Sequence, residues 1–152
     1  DARHGSCILR DPVAGGLVQA ALLHFHRDRY TLHAWCVMPN HVHVLFRPTA
    51  GWTMSKIVAS WKSFTGRKIS AYRKECMSGT AGPAPVWQRE YFDRFIRDAG
   101  HYANAISYIH MNPVQARLVK NPEEWEFSSA CPPLAWREGQ EGSVADIVGQ
   151  HS

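Results

Sequence analysis

Two histidines near the middle of the chain, His41 and His43, have a spacing that suits joint chemistry. They lie in HVHVLFR, an alternating run that predicts a β-strand over 41–47. Side chains two residues apart on a strand leave the same face about 7 Å apart, and converging imidazoles can bind a divalent metal. By itself the spacing is weak evidence: His24 and His26 share it on a predicted helix, where side chains diverge by about 200°.

A second group with chemical potential lies further along the chain, where 99–111 predicts a helix. Tyr108 and Asn112 are four residues apart, so their side chains share one helix face. The Asn oxygen suits Mg²⁺ or Mn²⁺, and a phenol beside such an ion is a plausible nucleophile for covalent catalysis. The alternative is that Tyr108 packs and Asn112 caps the helix. Tyr102 and His101 also lie there, but neither has an amide four residues on.

The predicted elements that position these groups describe an α+β fold. In chain order they are a helix, two strands, a helix, a strand, a helix and a short last helix, over 13–28, 30–38, 41–47, 53–75, 86–96, 99–111 and 114–119. Pro39-Asn40 marks a turn, so the first two strands form an antiparallel hairpin. Pro113 should end the third helix within a turn. We therefore expect an antiparallel sheet with helices on one face.

Composition describes an ordinary globular protein. The chain has 152 residues, of which 45% are hydrophobic and 20% charged, which excludes disordered and low-complexity classes. No apolar run is long enough for a membrane span, and no leader resembles a signal peptide. The cysteines form no C-x-x-C pair, which argues against a zinc ribbon and favours the reducing cytoplasm. We expect one domain over 1–130 and a C-terminal tail over 131–152.

Positive charge is concentrated in one part of the chain. Residues 29–74 contain eight basic and no acidic residues, within a net charge of +4 for the whole chain. Such a stretch attracts polyanions, most often nucleic acid, although a solvated helix face is the alternative. Trp87 is a candidate for stacking on an unpaired base, with core packing as its alternative. Six basic residues of the predicted second helix are candidates for phosphate contact: Lys56, Lys62, Arg67, Lys68, Arg73 and Lys74.

Three sequence blocks carry a resemblance to a known family. They are MPNHVHVLF at 38–46, VWQREYFDRFIRD at 86–98 and YIHMNPVQARLV at 108–119. Together they resemble the IS200-like Y1 transposases of the HUH superfamily, and most of all their REP-associated tyrosine transposase branch. The resemblance implies a ferredoxin-like fold, with the histidines on a central strand and the tyrosine on a neighbouring helix. The family's first strand would precede Cys7, where this chain has few residues, so that strand is expected to be missing or cut away.

The resemblance also implies an activity. His41, His43 and Asn112 would hold Mg²⁺ or Mn²⁺, although other members carry Gln at the last position. Tyr108 would cleave single-stranded DNA and leave a 5′-phosphotyrosine bond. The 3′-OH of a second strand could then reverse the cleavage step and join the DNA, as a transposase requires. One departure follows Pro113, because the family has a basic residue and then Ala-Gly where this chain has 115–117, Gln-Ala-Arg.

Two other functions stay open at this point. One is a domesticated protein that binds DNA hairpins without transposition, and the other is a metal-dependent phosphodiesterase that uses water. The expected partner is hairpin-forming single-stranded DNA, the expected location is the cytoplasm in association with the nucleoid, and no membrane is expected as a partner. The IS200 type works as dimers that exchange tyrosine helices, whereas the REP-associated branch leans towards monomers. We therefore expect a monomer, with a dimer as the alternative.

Overall fold

The structure, a computed structural model, describes residues 11–76, 99–133 and 136. The elements in chain order are α1 (Pro12–His24), β1 (Tyr30–Val37), β2 (Val42–Pro48), α2 (Met54–Cys76), α3 (Ala99–Gln115) and a short 3-10 helix (Pro122–Glu124). Within these ranges no helix has the length and apolar character that crossing a membrane requires. The predicted strand over 86–96, Trp87 and the segment before residue 11 lie outside the described residues.

β1 and β2 form the predicted antiparallel hairpin. The Met38 N–H donates to the His41 carbonyl at 2.8 Å and closes the connection between the strands. The register shifts between Leu32 and Ala34, so His33 is an extra residue opposite β2. Such a β-bulge re-aims the side chain of the extra residue.

α1 and α2 cover one face of the hairpin. Asp11 begins α1, because its carboxylate accepts from the Val13 N–H at 2.9 Å. The Tyr72 hydroxyl donates to the same carboxylate at 3.0 Å and joins the far end of α2 to the start of α1. The fully buried side chains between these helices and the strands form the main core: Ala14, Val18, Leu22, Tyr30, Leu32, Trp35, Val37, Ile57 and Ile69, with Trp61 beside them.

α3 packs on the opposite face of the hairpin. Ala34, Cys36 and Met38 alternate with the core residues of β1 and form a smaller cluster with Ile109 of α3. The α+β class with an antiparallel sheet is confirmed. The expectation that helices lie on one face holds for α1 and α2 only, because both faces of β1 carry buried apolar side chains and both must be covered.

A segment after α3, residues 127–129, pairs with the free edge of β1 and is called the edge segment here. The Val37 N–H donates to the Phe127 carbonyl at 2.8 Å, and the Ser129 N–H donates to the Trp35 carbonyl at 3.0 Å. Further on, the ring of Trp136 lies 4.9 Å from that of Trp35. The packed part of the chain therefore extends beyond residue 130.

α3 continues through Pro113 and ends at Gln115, within a turn of the proline as predicted, whereas the separate helix predicted over 114–119 is wrong. The fixed φ of proline suits a helix, and here the ring is buried. The helix ends where Arg117 adopts a φ of 61°. Leu118 N–H then donates to the Pro113 carbonyl at 2.9 Å, in a Schellman motif. Arg117 occupies the position at which the family that the chain resembles has glycine.

Two adjacent glycines of α1 should respond oppositely to substitution. A Cβ on Gly15 would lie 2.8 Å from the ring of Phe127, whereas one on Gly16 would lie 3.9 Å from it. Both changes to alanine gain helix propensity of up to about 1 kcal/mol. Only Gly15→Ala adds the overpacking cost of about 1–3 kcal/mol, because the backbone of Phe127 is hydrogen-bonded to β1.

Urea unfolding of the two variants tests this contact. We expect Gly16→Ala to raise the free energy of unfolding slightly. The free energy of unfolding of Gly15→Ala should be about 1–3 kcal/mol lower than that of Gly16→Ala. Equal unfolding free energies for the two variants would contradict the close approach of Phe127 to α1.

Candidate active site

The histidine pair lies where the hairpin turns into β2. His43 is on the strand and His41 immediately precedes it, yet their Nε2 atoms approach to 3.0 Å with the rings nearly perpendicular, at 89°. The Nδ1 atom of His41 is hydrogen-bonded to Oδ1 of Asn40 at 2.6 Å. Asn40 is only 7% exposed, so this contact fixes the orientation of the His41 ring.

Burial keeps both imidazoles neutral. Desolvation, helped by the neighbouring His43, lowers the pKa of His41 to about 4. Desolvation also lowers the pKa of His43, although a hydrogen bond with Asn112 opposes that shift. Neutral imidazole is the form that binds metals, so the pair is ready to act as ligands near neutral pH.

α3 brings Tyr108 and Asn112 to the same place. The rings of Tyr108 and His43 meet edge to face, with centroids 5.8 Å apart. The Asn112 Nδ2 donates to the Tyr108 carbonyl at 3.3 Å, which leaves its Oδ1 for the hydrogen bond with His43. The Tyr108 side chain is 57% exposed, so its hydroxyl is open to a large substrate. Tyr102, the alternative on this helix, is hydrogen-bonded to His33 at 3.0 Å instead.

The donor set could hold a divalent ion. Two ligands that bind an octahedral ion at right angles, each about 2.1 Å from it, lie about 3.0 Å apart. The Nε2 atoms of His41 and His43 have this separation. Among the described residues no group of three or more His, Cys, Asp or Glu side chains could hold a metal ion. Asn112, which is hydrogen-bonded to His43, offers an amide beside the pair.

The basic candidates on α2 lie on the opposite face of the hairpin from Tyr108. Lys56, Arg67 and Lys74 are exposed. Their spacing, in combined steps of three and four residues, places them in one stripe along a face of the helix. The residues between them on this stripe are Ser60, Ser63 and Ser70. This stripe, called the α2 stripe here, combines cationic and hydroxyl groups without a single carboxylate, which suits a phosphate backbone.

The other three basic residues of α2 are placed differently. Lys62 and Arg73 are half-buried, and Lys68 is exposed with its ammonium group 5.7 Å from the ring of Phe64. Phe64 itself is 39% exposed. Thr65 takes the buried position instead, because its hydroxyl donates to the Trp61 carbonyl at 2.7 Å.

Some residues near the site had no signal in the sequence. Asn40 reads as an ordinary turn residue, and only its hydrogen bond with His41 shows a supporting position. The bulge that turns His33 towards Tyr102 breaks no visible pattern in the sequence. Trp52 lies half-buried with the guanidinium of Arg29 4.4 Å from its ring.

The chain is similar to curated proteins of known kind. A REP-associated tyrosine transposase of Escherichia coli (strain K12) is 28% identical over 114 residues, which are 74% of this chain and 62% of that protein. A Haemophilus influenzae protein named for the same kind of transposase is 29% identical over 102 residues, 63% of this chain and 56% of the relative. The chain thus spans about three fifths of the length of these curated relatives.

A solved structure shares the fold, and a family model identifies the chain. The structure of a REP-associated tyrosine transposase bound to a REP hairpin superposes with a TM-score of 0.64 at 22% identity, covering 92% of this chain and 74% of that one. The family model described as "Transposase IS200 like" matches residues 8–112. The chain therefore belongs to the IS200-like transposase family.

Proposed function

We propose that the protein cleaves single-stranded DNA and transfers the cut strand through a covalent bond to Tyr108. The observation that carries this proposal is the exposed phenol of Tyr108 beside the half-buried pair of His41 and His43, all within one chain. Family membership supports the same reaction class.

The chemistry follows from the placement of the side chains. The Tyr108 oxygen attacks the scissile phosphorus, an O–P bond to the phenol forms, and the bond from phosphorus to the 3′ oxygen breaks. The phenol loses its proton to solvent and the departing 3′ oxygen gains one. The adduct keeps the energy of the phosphodiester, so a second 3′-OH can reverse the step and join strands.

The residues that would hold an ion are His41, His43 and Asn112. When bound there, Mg²⁺ or Mn²⁺ supplies positive charge to the phosphate oxygens as negative charge develops on them. The protein side chains do the remaining work: Asn40 holds the His41 ring, and Asn112 links the backbone of Tyr108 to His43.

Binding of hairpin-forming DNA is part of the proposal. The α2 stripe offers charges and hydroxyls along most of a 23-residue helix, on the hairpin face away from Tyr108. One DNA molecule would therefore contact two faces of the protein, the structured part on one and the cleaved strand on the other. The similar fold of a transposase bound to a REP hairpin supports this partner class.

A monomer suffices for this chemistry. Tyr108, Asn112 and both histidines come from one chain, so no helix has to be exchanged with a second copy to complete the site. This supports the expected monomeric state.

The test is formation of a covalent adduct. Purified protein is mixed with a hairpin oligonucleotide that carries single-stranded flanks labelled at either end, with Mn²⁺ or Mg²⁺, and run on a denaturing gel. We expect one labelled fragment to travel with the protein and the other to be released with a 3′-OH, and mass spectrometry to place the adduct on Tyr108. Cleavage without any adduct across a panel of hairpins would contradict the proposal.

A further inference from the structure

Arg47 lies on the same face of the hairpin as the candidate active site. Side chains alternate along β2 without a bulge, so His43, Leu45 and Arg47 share one face. Leu45 packs in the small cluster under α3, which fixes that face as the one that carries Tyr108. Arg47 is exposed and stands about 13 Å from His43 along the strand, four residues at about 3.3 Å each.

The other basic residues between 29 and 74 lie elsewhere. Those of α2 belong to a helix that packs on the opposite face. Arg29 is fixed by aromatic rings, with its guanidinium carbon 3.4 Å from the ring centre of Phe25 and 4.4 Å from that of Trp52. Arg47 is therefore the one cation of this segment placed to meet DNA at Tyr108.

Two side chains near Arg47 in the described part of the chain, His33 and Tyr102, are neutral. The β-bulge directs His33 towards α3, where its Nδ1 is hydrogen-bonded to the Tyr102 hydroxyl at 3.0 Å. Burial, and then the charge of Arg47, lower the pKa of His33, while burial raises the pKa of Tyr102. Both side chains are uncharged near neutral pH, so Arg47 sets the local potential beside them.

We infer that Arg47 binds a backbone phosphate of the DNA strand that passes Tyr108, a few linkages from the scissile one. Its planar guanidinium presents paired N–H donors that match two phosphate oxygens. A contact at this distance fixes the direction of the strand along β2 and so positions the scissile phosphate at Tyr108. The inference rests on the proposed function, because it takes the strand at Tyr108 as the substrate.

The experiment scans the charge of single linkages. Hairpin oligonucleotides each carry one neutral methylphosphonate at successive linkages on either side of the cleavage point, and their dissociation constants are measured for wild type, Arg47→Ala and Arg67→Ala. Arg67→Ala is the matched control, because it removes an exposed arginine from the α2 stripe. Adduct formation by the wild type is recorded separately, so that a failure of the proposed cleavage is seen independently of the binding scan.

We expect Arg47→Ala to weaken binding of the unmodified DNA about five- to tenfold and to reduce the salt dependence by about 0.7 logarithmic units per decade. At one position, a neutral linkage should weaken DNA binding by the wild type and by Arg67→Ala by about the same five- to tenfold factor. The same neutral linkage should leave DNA binding by Arg47→Ala unchanged. If every neutral linkage weakens Arg47→Ala as much as wild type, the inference is overturned, whether or not the adduct forms.

Discussion

A Tyr108→Phe variant is expected to bind hairpin DNA as tightly as the wild type and to form no covalent adduct at all. The phenol oxygen is the atom that would bond to phosphorus, and phenylalanine lacks it while keeping the ring against His43. The side chain is largely exposed, so removal of its hydroxyl leaves the core untouched. Denaturing gels for the adduct and fluorescence anisotropy for binding measure the two effects separately.

The matched control is Tyr102→Phe on the same helix, which removes a hydroxyl that bonds to His33 rather than one at the histidine pair. It should retain the adduct. The pair of variants also separates the other functions that the sequence leaves open. A phosphodiesterase that uses water would still cleave DNA after Tyr108→Phe. A protein that only binds DNA would cleave it neither as the wild type nor as the variant. Either result would refute the covalent mechanism.

Loss of one imidazole should have the second largest effect. We expect His43→Ala to reduce cleavage by more than about 100-fold, because residues that merely support a ligand already contribute about 10- to 100-fold. Asn40→Ala tests that supporting role and should shift the Mn²⁺ concentration for half-maximal cleavage upwards by about 10- to 100-fold, since the His41 ring loses its hydrogen bond.

The matched control for these variants is His33→Ala, which removes another half-buried histidine from the same face of the hairpin. It should leave the Mn²⁺ dependence of cleavage unchanged. Chelation by EDTA should abolish wild-type cleavage. Cleavage by His43→Ala that persists in EDTA would show that the histidine pair holds no catalytic ion.

The β1–β2 hairpin and the common face of His41 and His43 could be predicted from the sequence, because the patterns that indicate them are local. Alternating residues, a Pro-Asn turn and two histidines in one run specify β2 and its neighbours with no reference to the rest of the chain. The i to i+4 spacing likewise placed Tyr108 and Asn112 on one helix face. Only the structure shows that this face meets His43, since that depends on how α3 packs.

Long-range packing decided what the sequence could not. β1 is apolar on both faces, and no local pattern shows that a helix some sixty residues later covers the second one. Pro113 is a helix breaker by propensity, yet burial of its ring and the turn at Arg117 outweigh that tendency. The edge segment forms a single bridge with β1, too short for any periodicity.

The edge segment also has a consequence for synthesis on the ribosome. β1 and β2 emerge about eighty residues before the strand partner of Val37 and Trp35 does. Until then a nascent chain exposes unpaired backbone donors beside an apolar strand, an arrangement that invites pairing with other chains. We therefore expect polypeptides that stop before residue 127 to be captured by chaperones or to aggregate, even though the helices and the histidine pair are already complete.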